Sequence, residues 1–263
     1  MVPIRVLLTG AAGKMGQELV RTIAKEKDIL LVATCDLQEE GRDVGEVAGI
    51  GKQGVKIQKD VRAAIETQSP QVICDFTQAD ALRKNLPLYL TGNASLVIGT
   101  TGLSQTEINN LQNECRKKKV GCLLAPNFAL GAVLMMHFSQ IAARFMDGVE
   151  IIEFHHPQKK DAPSGTAIKT AEGINKDEIQ KEAGREVLTG ARGAQLGSVH
   201  IHSVRLPGYV AHQEVIFGGQ GQTLTIRHDS IDRSSFMPGI ITAIRKMAND
   251  RNFYYGLESI LDL

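Results

Sequence analysis

The sequence predicts an α/β chain in two parts. The first is a parallel sheet with helices on both faces, and the second is an α+β domain built on an open mixed sheet. Three observations predict it. Short apolar runs alternate with helical patterns through the first half. A glycine-spaced turn, Gly10-Ala11-Ala12-Gly13-Lys14-Met15-Gly16, joins the first apolar run to the first helix. From about residue 198 onward the pattern changes to alternating extended runs such as His200-Ile-His-Ser-Val-Arg205.

Ile4 to Thr9 is short and apolar, as a buried parallel strand is. The glycine turn and a helix from Gln17 to Lys25 follow it. Leu30 to Cys35 is the next strand, and it ends at Asp36. Strand, glycine turn, helix, strand and acid are what a dinucleotide site needs. Glycines let the backbone approach a pyrophosphate, the helix N-terminus carries partial positive charge, and an acid about 20 residues on accepts from ribose hydroxyls. The spacing is G-x-x-G-x-x-G, not the commoner G-x-G-x-x-G, so the strand–helix–strand context carries the assignment to a Rossmann-like domain.

Gln71 to Thr77 reads as a strand running into a polar turn, and a helix spans about Asp80 to Leu90. Leu96 to Ile98 is a strand ending at Gly99-Thr100-Thr101-Gly102. Ser104 and Glu107 form a capping-box pattern for the next helix. Val120 to Leu124 is a further strand, ending at Ala125-Pro126-Asn127-Phe128. The turns at Gly10, Phe76-Thr77, Gly99 to Thr101 and Asn127-Phe128 all fall at the carboxyl ends of strands, where such sheets bind ligands. Together they predict one continuous cofactor cleft.

In the second half a helix is expected over about Val133 to Met146, then a strand from Val149 to Phe154 that ends at His155. Ala167 to Ile174 can form a helix, Lys176 to Arg185 an exposed one, and Gly190 to Gly197 a glycine-rich loop. Ser198 to Leu206, Gln213 to Phe217 and Thr223 to Asp229 read as strands. Phe236 to Asp250 is helical, and Leu257 to Leu263 is short and apolar. This last stretch is expected to return to the first domain. The division is therefore 1–127 with 235–263 for the dinucleotide-binding domain and 128–234 for the substrate domain, with hinges near Asn127 to Gly131 and Ser234 to Phe236.

Composition narrows the function. The chain has 263 residues, 43% hydrophobic and 22% charged, with a net charge of +1. No global field favours nucleic acid. The basic cluster Arg116-Lys117-Lys118-Lys119 complements a helix C-terminus. The N-terminus enters a strand at once, leaving no room for a signal peptide, and no apolar run reaches the length of a membrane span. Four cysteines without a C-x-x-C pair, two of them in core strands, fit reduced thiols in a cytosol, with no metal site.

The richest stretch is His155-His156-Pro-Gln-Lys159-Lys160-Asp161-Ala-Pro163-Ser164-Gly165-Thr166. The histidines sit where a strand ends, and the Ser-Gly-Thr turn sits where a helix begins. Imidazole titrates near neutrality and can donate a proton at working pH. Lys159, Arg205 and the N–H groups of the turn at Ser164 to Thr166 can hold two carboxylates. Lys160 is read as solvated; His200, His202 and His212 as structural or surface residues; and His137 as a core or helix-face residue.

These motifs give the chain a resemblance to the dihydrodipicolinate reductase family of lysine synthesis, over nearly its whole length. The residues that carry it are Gly10 to Gly16, Asp43 to Gly49, Asp75 to Thr77, Val97 to Gly102, Ala125 to Phe128 and, most specifically, Glu153 to Ala167. The resemblance implies a small cyclic dicarboxylate substrate. It also implies hydride transfer from NADH or NADPH to ring carbon 4, with loss of the hydroxyl as water. It implies His155 as the general acid that protonates the adjacent ring carbon, or as the group that shuttles that proton. Lys159 would be a second proton donor, and His156, Ser164, Gly165, Thr166 and Arg205 would be substrate contacts. Gly10, Ala11, Ala12, Gly13, Lys14, Met15, Asp36, Phe76, Thr77, Gly99, Thr100, Thr101, Ala125, Pro126, Asn127 and Phe128 would contact the cofactor. A cytoplasmic homotetramer, assembled through the second domain's sheet, is also implied.

Some positions depart from the family pattern. Lys14 stands where many members carry Arg. Leu37 follows Asp36 where some place a basic residue that meets a 2′-phosphate, so the pair leans toward NADH while Lys14 admits NADPH. Ala129 stands where Ser is frequent. Two other readings are weighed: a nicotinamide-dependent amino-acid or semialdehyde dehydrogenase, and a non-catalytic nucleotide sensor.

Overall fold

The structure, a computed structural model, describes residues 2–174, 185–261 and 263. The chain divides into two compact units, Met1–Phe128 with Phe236–Leu263, and Ala129–Ser235.

The first unit alternates β1 (Ile4–Thr9), α1 (Lys14–Ile23), β2 (Ile29–Cys35), α2 (Val44–Val47), β3 (Ile57–Gln58), α3 (Val61–Gln68), β4 (Val72–Asp75), α4 (Ala79–Tyr89), β5 (Ser95–Ile98), α5 (Gln105–Lys118) and β6 (Cys122–Leu124). The second unit carries α6 (Leu130–Ala142), β7 (Gly148–His155), α7 (Gly165–Ile174), β8 (Ala194–Leu196), β9 (Val199–Arg205), β10 (Ala211–Gly219) and β11 (Gln222–Ser230). The chain then returns to the first unit with α8 (Met237–Met247) and β12 (Phe253–Tyr255).

Seven strands form one sheet in the order β12-β6-β5-β4-β1-β2-β3, and every pair is parallel. Its central strands are apolar and buried on both faces: Val6, Leu7 and Leu8 of β1, Val72 and Ile73 of β4, and Leu96, Val97 and Ile98 of β5 are all fully buried. Helix starts follow local chemistry. Ser104 and Glu107 close the capping box of α5, Asp60 caps α3, and Asp43 caps α2. The basic run of residues 116–119 ends α5 with Lys119 at φ +55°.

The second unit's sheet is mixed, in the order β11-β10-β7-β9-β8, with only β7 and β9 parallel. One face of it buries Ile151, Glu153, Gln213, Val215 and Phe217. Helix α7 packs against β7 and β9, and α6 against β11. Because strand side chains alternate, His155 shares this face with Glu153 and Ile151 and stands at its end.

Several elements differ from the expectation. Helix α6 begins at Leu130 and ends at Ala142, because Asp147 already donates its N–H to Gly218 and opens the sheet. The glycine-rich stretch of residues 190–197 contains β8, which forms by pairing with β9 despite its Ala-Gln-Leu sequence. The terminal helix is α8 alone, preceded by a tight turn at Arg233–Phe236. Strand β12 lies at the edge of the parallel sheet, in a stretch for which no element was expected. The helix expected over Lys176 to Arg185 lies outside the described residues, apart from Arg185 itself. Three cysteines, not two, sit in strands: Cys35, Cys74 and Cys122. No helix among the described residues is long and apolar enough to cross a membrane.

Candidate active site

In the first unit the expected cofactor residues follow five adjacent strands. The Gly10 turn follows β1, Asp36 follows β2, Phe76-Thr77 follows β4, Gly99 to Thr101 follow β5, and Ala125 to Phe128 follow β6. All lie at the carboxyl edge of the parallel sheet, where the ends of neighbouring strands open a binding crevice. Gly10 has φ +80°, and a Cβ there would stand 2.5 Å from the Phe76 carbonyl oxygen. Gly16 lets α1 sit against the turn, since a Cβ there would stand 2.1 Å from the Gly10 oxygen. The turn therefore has no room for larger residues at either end. The Asp36 carboxylate is oriented by two N–H donors, Ala12 at 2.9 Å and Gln38 at 2.9 Å. The Phe76 and Phe128 rings pack with centroids 5.8 Å apart.

Beneath these turns lies a buried polar hub that the sequence reading did not single out. Asp75, with no exposure, ends β4. Its Oδ1 accepts from the Thr77 N–H at 3.1 Å, the Thr77 hydroxyl at 2.7 Å and the Thr100 hydroxyl at 2.6 Å. Its Oδ2 accepts from the Tyr89 hydroxyl at 2.6 Å and lies 3.0 Å from the Thr9 hydroxyl. The hub ties the ends of β1, β4 and β5 to α4. Burial, then the Asp75 charge, pushes the Tyr89 phenol well above its ordinary range, so it stays a donor.

In the second unit the end of β7 and the turn into α7 carry the other cluster. Glu153 is fully buried, and its carboxylate meets the Arg205 guanidinium and the His155 imidazole. The Arg205 guanidinium approaches it end-on, Nη2 to Oε1 at 2.7 Å and Nη1 to Oε2 at 3.0 Å. His155 Nδ1 hydrogen-bonds the same Oε2. The register explains the meeting: β7 and β9 run parallel, with His155 opposite Arg205. Burial would raise the Glu153 carboxyl, but hydrogen bonds from His155, Arg205 and Ser203 outweigh it and bring it down to about 2. Lys159 reaches both oxygens of Asp161, at 2.6 and 2.7 Å, and so lowers the Asp161 carboxyl. Arg205 Nη2 also donates to the Asp161 carbonyl at 2.8 Å, closing the loop onto the strand end. Ser164 is buried and caps α7, its hydroxyl accepting from the Ala167 N–H at 3.2 Å. The first-turn N–H groups at Gly165 and Thr166 have no acceptor within the helix. A Cβ at Gly165 would meet nothing within 4 Å. His156 is exposed and pairs with Gln158 at 3.0 Å.

Arg205 was expected to face a substrate carboxylate. Its terminal nitrogens are instead engaged by Glu153, the Val204 carbonyl and the Asp161 carbonyl, and its Nε is buried. The residue that sequence reasoning missed is its partner, Glu153. The signal was present: an acid two positions before a histidine on a strand shares its face.

Four of the other histidines have local contacts. His202 meets Glu150 at 2.8 Å, His212 meets Asp229 at 2.6 Å, and His200 meets the Arg192 carbonyl at 2.8 Å. His137 is half-buried on α6, edge-on to Phe138.

A nucleotide-binding α/β unit joined to a mixed-sheet unit bearing a His–Lys cluster defines a nicotinamide-dependent oxidoreductase. Comparison with known proteins makes this particular. The family model described as "Dihydrodipicolinate reductase, N-terminus" matches residues 4–128, and that described as "Dihydrodipicolinate reductase, C-terminus" matches residues 131–261. The chain is 48% identical to the 4-hydroxy-tetrahydrodipicolinate reductase of Moorella thermoacetica, over 98% of both chains. It is 46% identical to the same enzyme of Desulfitobacterium hafniense, over all of both. Among solved structures it is similar to a dipicolinate-bound dihydrodipicolinate reductase from Paenisporosarcina, with 42% identity and a TM-score of 0.88. That likeness covers 99% of this chain and 100% of the other. The chain belongs to the dihydrodipicolinate reductase family, and its cofactor is NADH or NADPH.

Proposed function

We propose that this chain reduces 4-hydroxy-tetrahydrodipicolinate to tetrahydrodipicolinate with NADH or NADPH, releasing water, in lysine and diaminopimelate synthesis. The observation that carries the reading is the juxtaposition of His155, Lys159 and the Ser164 to Thr166 turn at one end of the mixed sheet. A solved relative bound to dipicolinate, a planar ring with two carboxylates, supports a small cyclic dicarboxylate as the ligand.

The bound reduced nicotinamide supplies the hydride. The chain's own residues do the rest. The Gly10 to Met15 turn and the start of α1 present N–H groups and dipole to the pyrophosphate. Asp36, already oriented by two backbone donors, accepts from ribose hydroxyls. Phe76, Thr77, Gly99 to Thr101 and Ala125 to Phe128 line the adjoining strand ends. His155 gives a proton from Nε2 to the ring carbon beside the reduced position. Lys159 exchanges its Asp161 partner for a substrate carboxylate and serves as a second donor of a proton. His156 and the N–H groups at Gly165 and Thr166 hold the other carboxylate. The protein works in the cytoplasm as a homotetramer joined through the mixed sheet.

A thiol mechanism, as in semialdehyde dehydrogenases, is disfavoured by the cysteines. All four are buried, and burial pushes the Cys35 thiol up to about 12 and raises those of Cys74 and Cys122 as well. Lys159→Ala separates the reductase from a nucleotide sensor. The reductase loses both turnover and substrate affinity while NADH affinity persists. Wild-type protein that binds NADH yet never oxidises it with this substrate would overturn the proposal.

A further inference from the structure

We propose that Glu153, clamped by Arg205, is a positioning residue that holds the His155 ring with its Nδ1–H on the carboxylate and Nε2 directed outward. The proposal rests on the reading of His155 as proton donor and assigns the group that makes it one.

The geometry requires a reason for Glu153. A carboxylate with no solvent exposure is costly unless paired and fully hydrogen-bonded. Arg205 supplies the full opposite charge and one bond to each oxygen, at 2.7 and 3.0 Å. His155 is therefore an additional partner, bound to an oxygen already fixed in place. Arg205 cannot swing away, because the Val204 and Asp161 carbonyls, both at 2.8 Å, hold the far side of its fork. The His155 backbone is fixed too, its carbonyl accepting from the Leu206 N–H at 3.1 Å.

The consequence is a choice of tautomer. An ionised carboxylate only accepts, so Nδ1 must carry a hydrogen. Glu153 is held ionised throughout the working range of pH by the same partners. Nε2 makes no hydrogen bond among the described residues. It is the nitrogen that exchanges its proton with a substrate. After donation the ring is already the Nδ1–H neutral form and needs no rotation to be recharged. The other charged groups facing His155 are Asp161 and Lys159, paired with each other on the loop, and Arg205 on β9. None of them competes for Nδ1. Arg205 thus acts through Glu153, and the requirement for arginine there is geometric, a two-pronged donor that lysine does not provide.

The test uses full-length protein labelled with 15N-histidine, with His155 assigned by comparison with His155→Gln. The wild-type neutral ring should show a protonated Nδ1 and a bare Nε2. A bare Nδ1 in folded wild-type protein would overturn the proposal without any variant. In Glu153→Gln, kcat should fall by about a hundredfold or more, the range seen when the carboxylate behind a catalytic imidazole is neutralised. KM should change by less than about threefold while the NADH dissociation constant is unchanged, since a positioning role is expressed in kcat. Glu153→Asp, which keeps the charge but retracts it, should recover part of the loss. A Glu153→Gln protein with wild-type kcat overturns the positioning role. If His155→Gln also keeps wild-type turnover, the proton-donor reading itself has failed. If His155→Gln is inactive and Glu153→Gln is not, only the present inference has failed.

Discussion

Replacing Gly10 by alanine tests whether the nucleotide turn is shaped by steric exclusion. Two costs can be separated. The residue has φ +80°, and placing an L side chain there costs about 1–2 kcal/mol. The added Cβ would also stand 2.5 Å from the Phe76 oxygen and 2.8 Å from its carbonyl carbon. These are backbone atoms at the end of β4, so no side chain can turn aside, and the strain of such overpacking is about 1–3 kcal/mol. The sum, about 2–5 kcal/mol, corresponds to a fall of about 4–20 °C in Tm for a domain of this size. Gly49→Ala is the matched control in the same unit. It has φ +76° but open space around its Cβ, so only the backbone cost of about 1–2 kcal/mol applies. Both variants would be melted by circular dichroism and titrated with NADH by fluorescence. Gly10→Ala should lose more stability than Gly49→Ala and bind NADH more weakly, because the Phe76-Thr77 turn must move. Equal melting temperatures and equal NADH affinity would refute the steric argument.

Three further outcomes are expected. Tyr89→Phe removes one donor from the buried Asp75 carboxylate and should cost about 1–3 kcal/mol in urea unfolding, with kcat nearly unchanged. Asp36→Asn should lower kcat/KM for NADH by roughly tenfold, and for NADPH by less, because the acid it replaces repels a 2′-phosphate; steady-state kinetics with both cofactors reads this directly. Glu153 titrates at about 2 in the folded protein, below its ordinary 4.5. The unfolded chain therefore binds the extra proton first, so this contribution is present above about 4.5 and is lost as pH falls toward 2. Urea midpoints between those limits should fall less steeply in Glu153→Gln than in wild type.

How much was legible in the sequence depended on how local the signal was. The glycine turn, the capping box at Ser104 and the five apolar strands read between Ile4 and Leu124 are short-range patterns, and they stand where expected. The mixed sheet was legible as a class, because β9, β10 and β11 each alternate. Its register was not. The pairing of His155 with Arg205 joins residues far apart in sequence, and only that register brings the Arg205 guanidinium onto Glu153. Strands β8 and β12 were invisible for the same reason: three residues carry no period, and their neighbours in the sheet supply the stabilisation. The Asp75 hub was half-legible. Asp75 and Thr77 are two positions apart in sequence, but Thr9, Tyr89 and Thr100 reach the carboxylate only through the fold.

The most direct test of the central claim is substrate-dependent oxidation of NADH and NADPH, followed by loss of the reduced nicotinamide's absorbance. Wild-type and His155→Gln proteins would be compared with enzymatically generated 4-hydroxy-tetrahydrodipicolinate. The account predicts rapid oxidation by wild type and a loss of roughly 10²–10⁴-fold in kcat for His155→Gln, with cofactor binding intact. Oxidation at the wild-type rate by His155→Gln, or none by folded, NADH-binding wild-type protein, would contradict it.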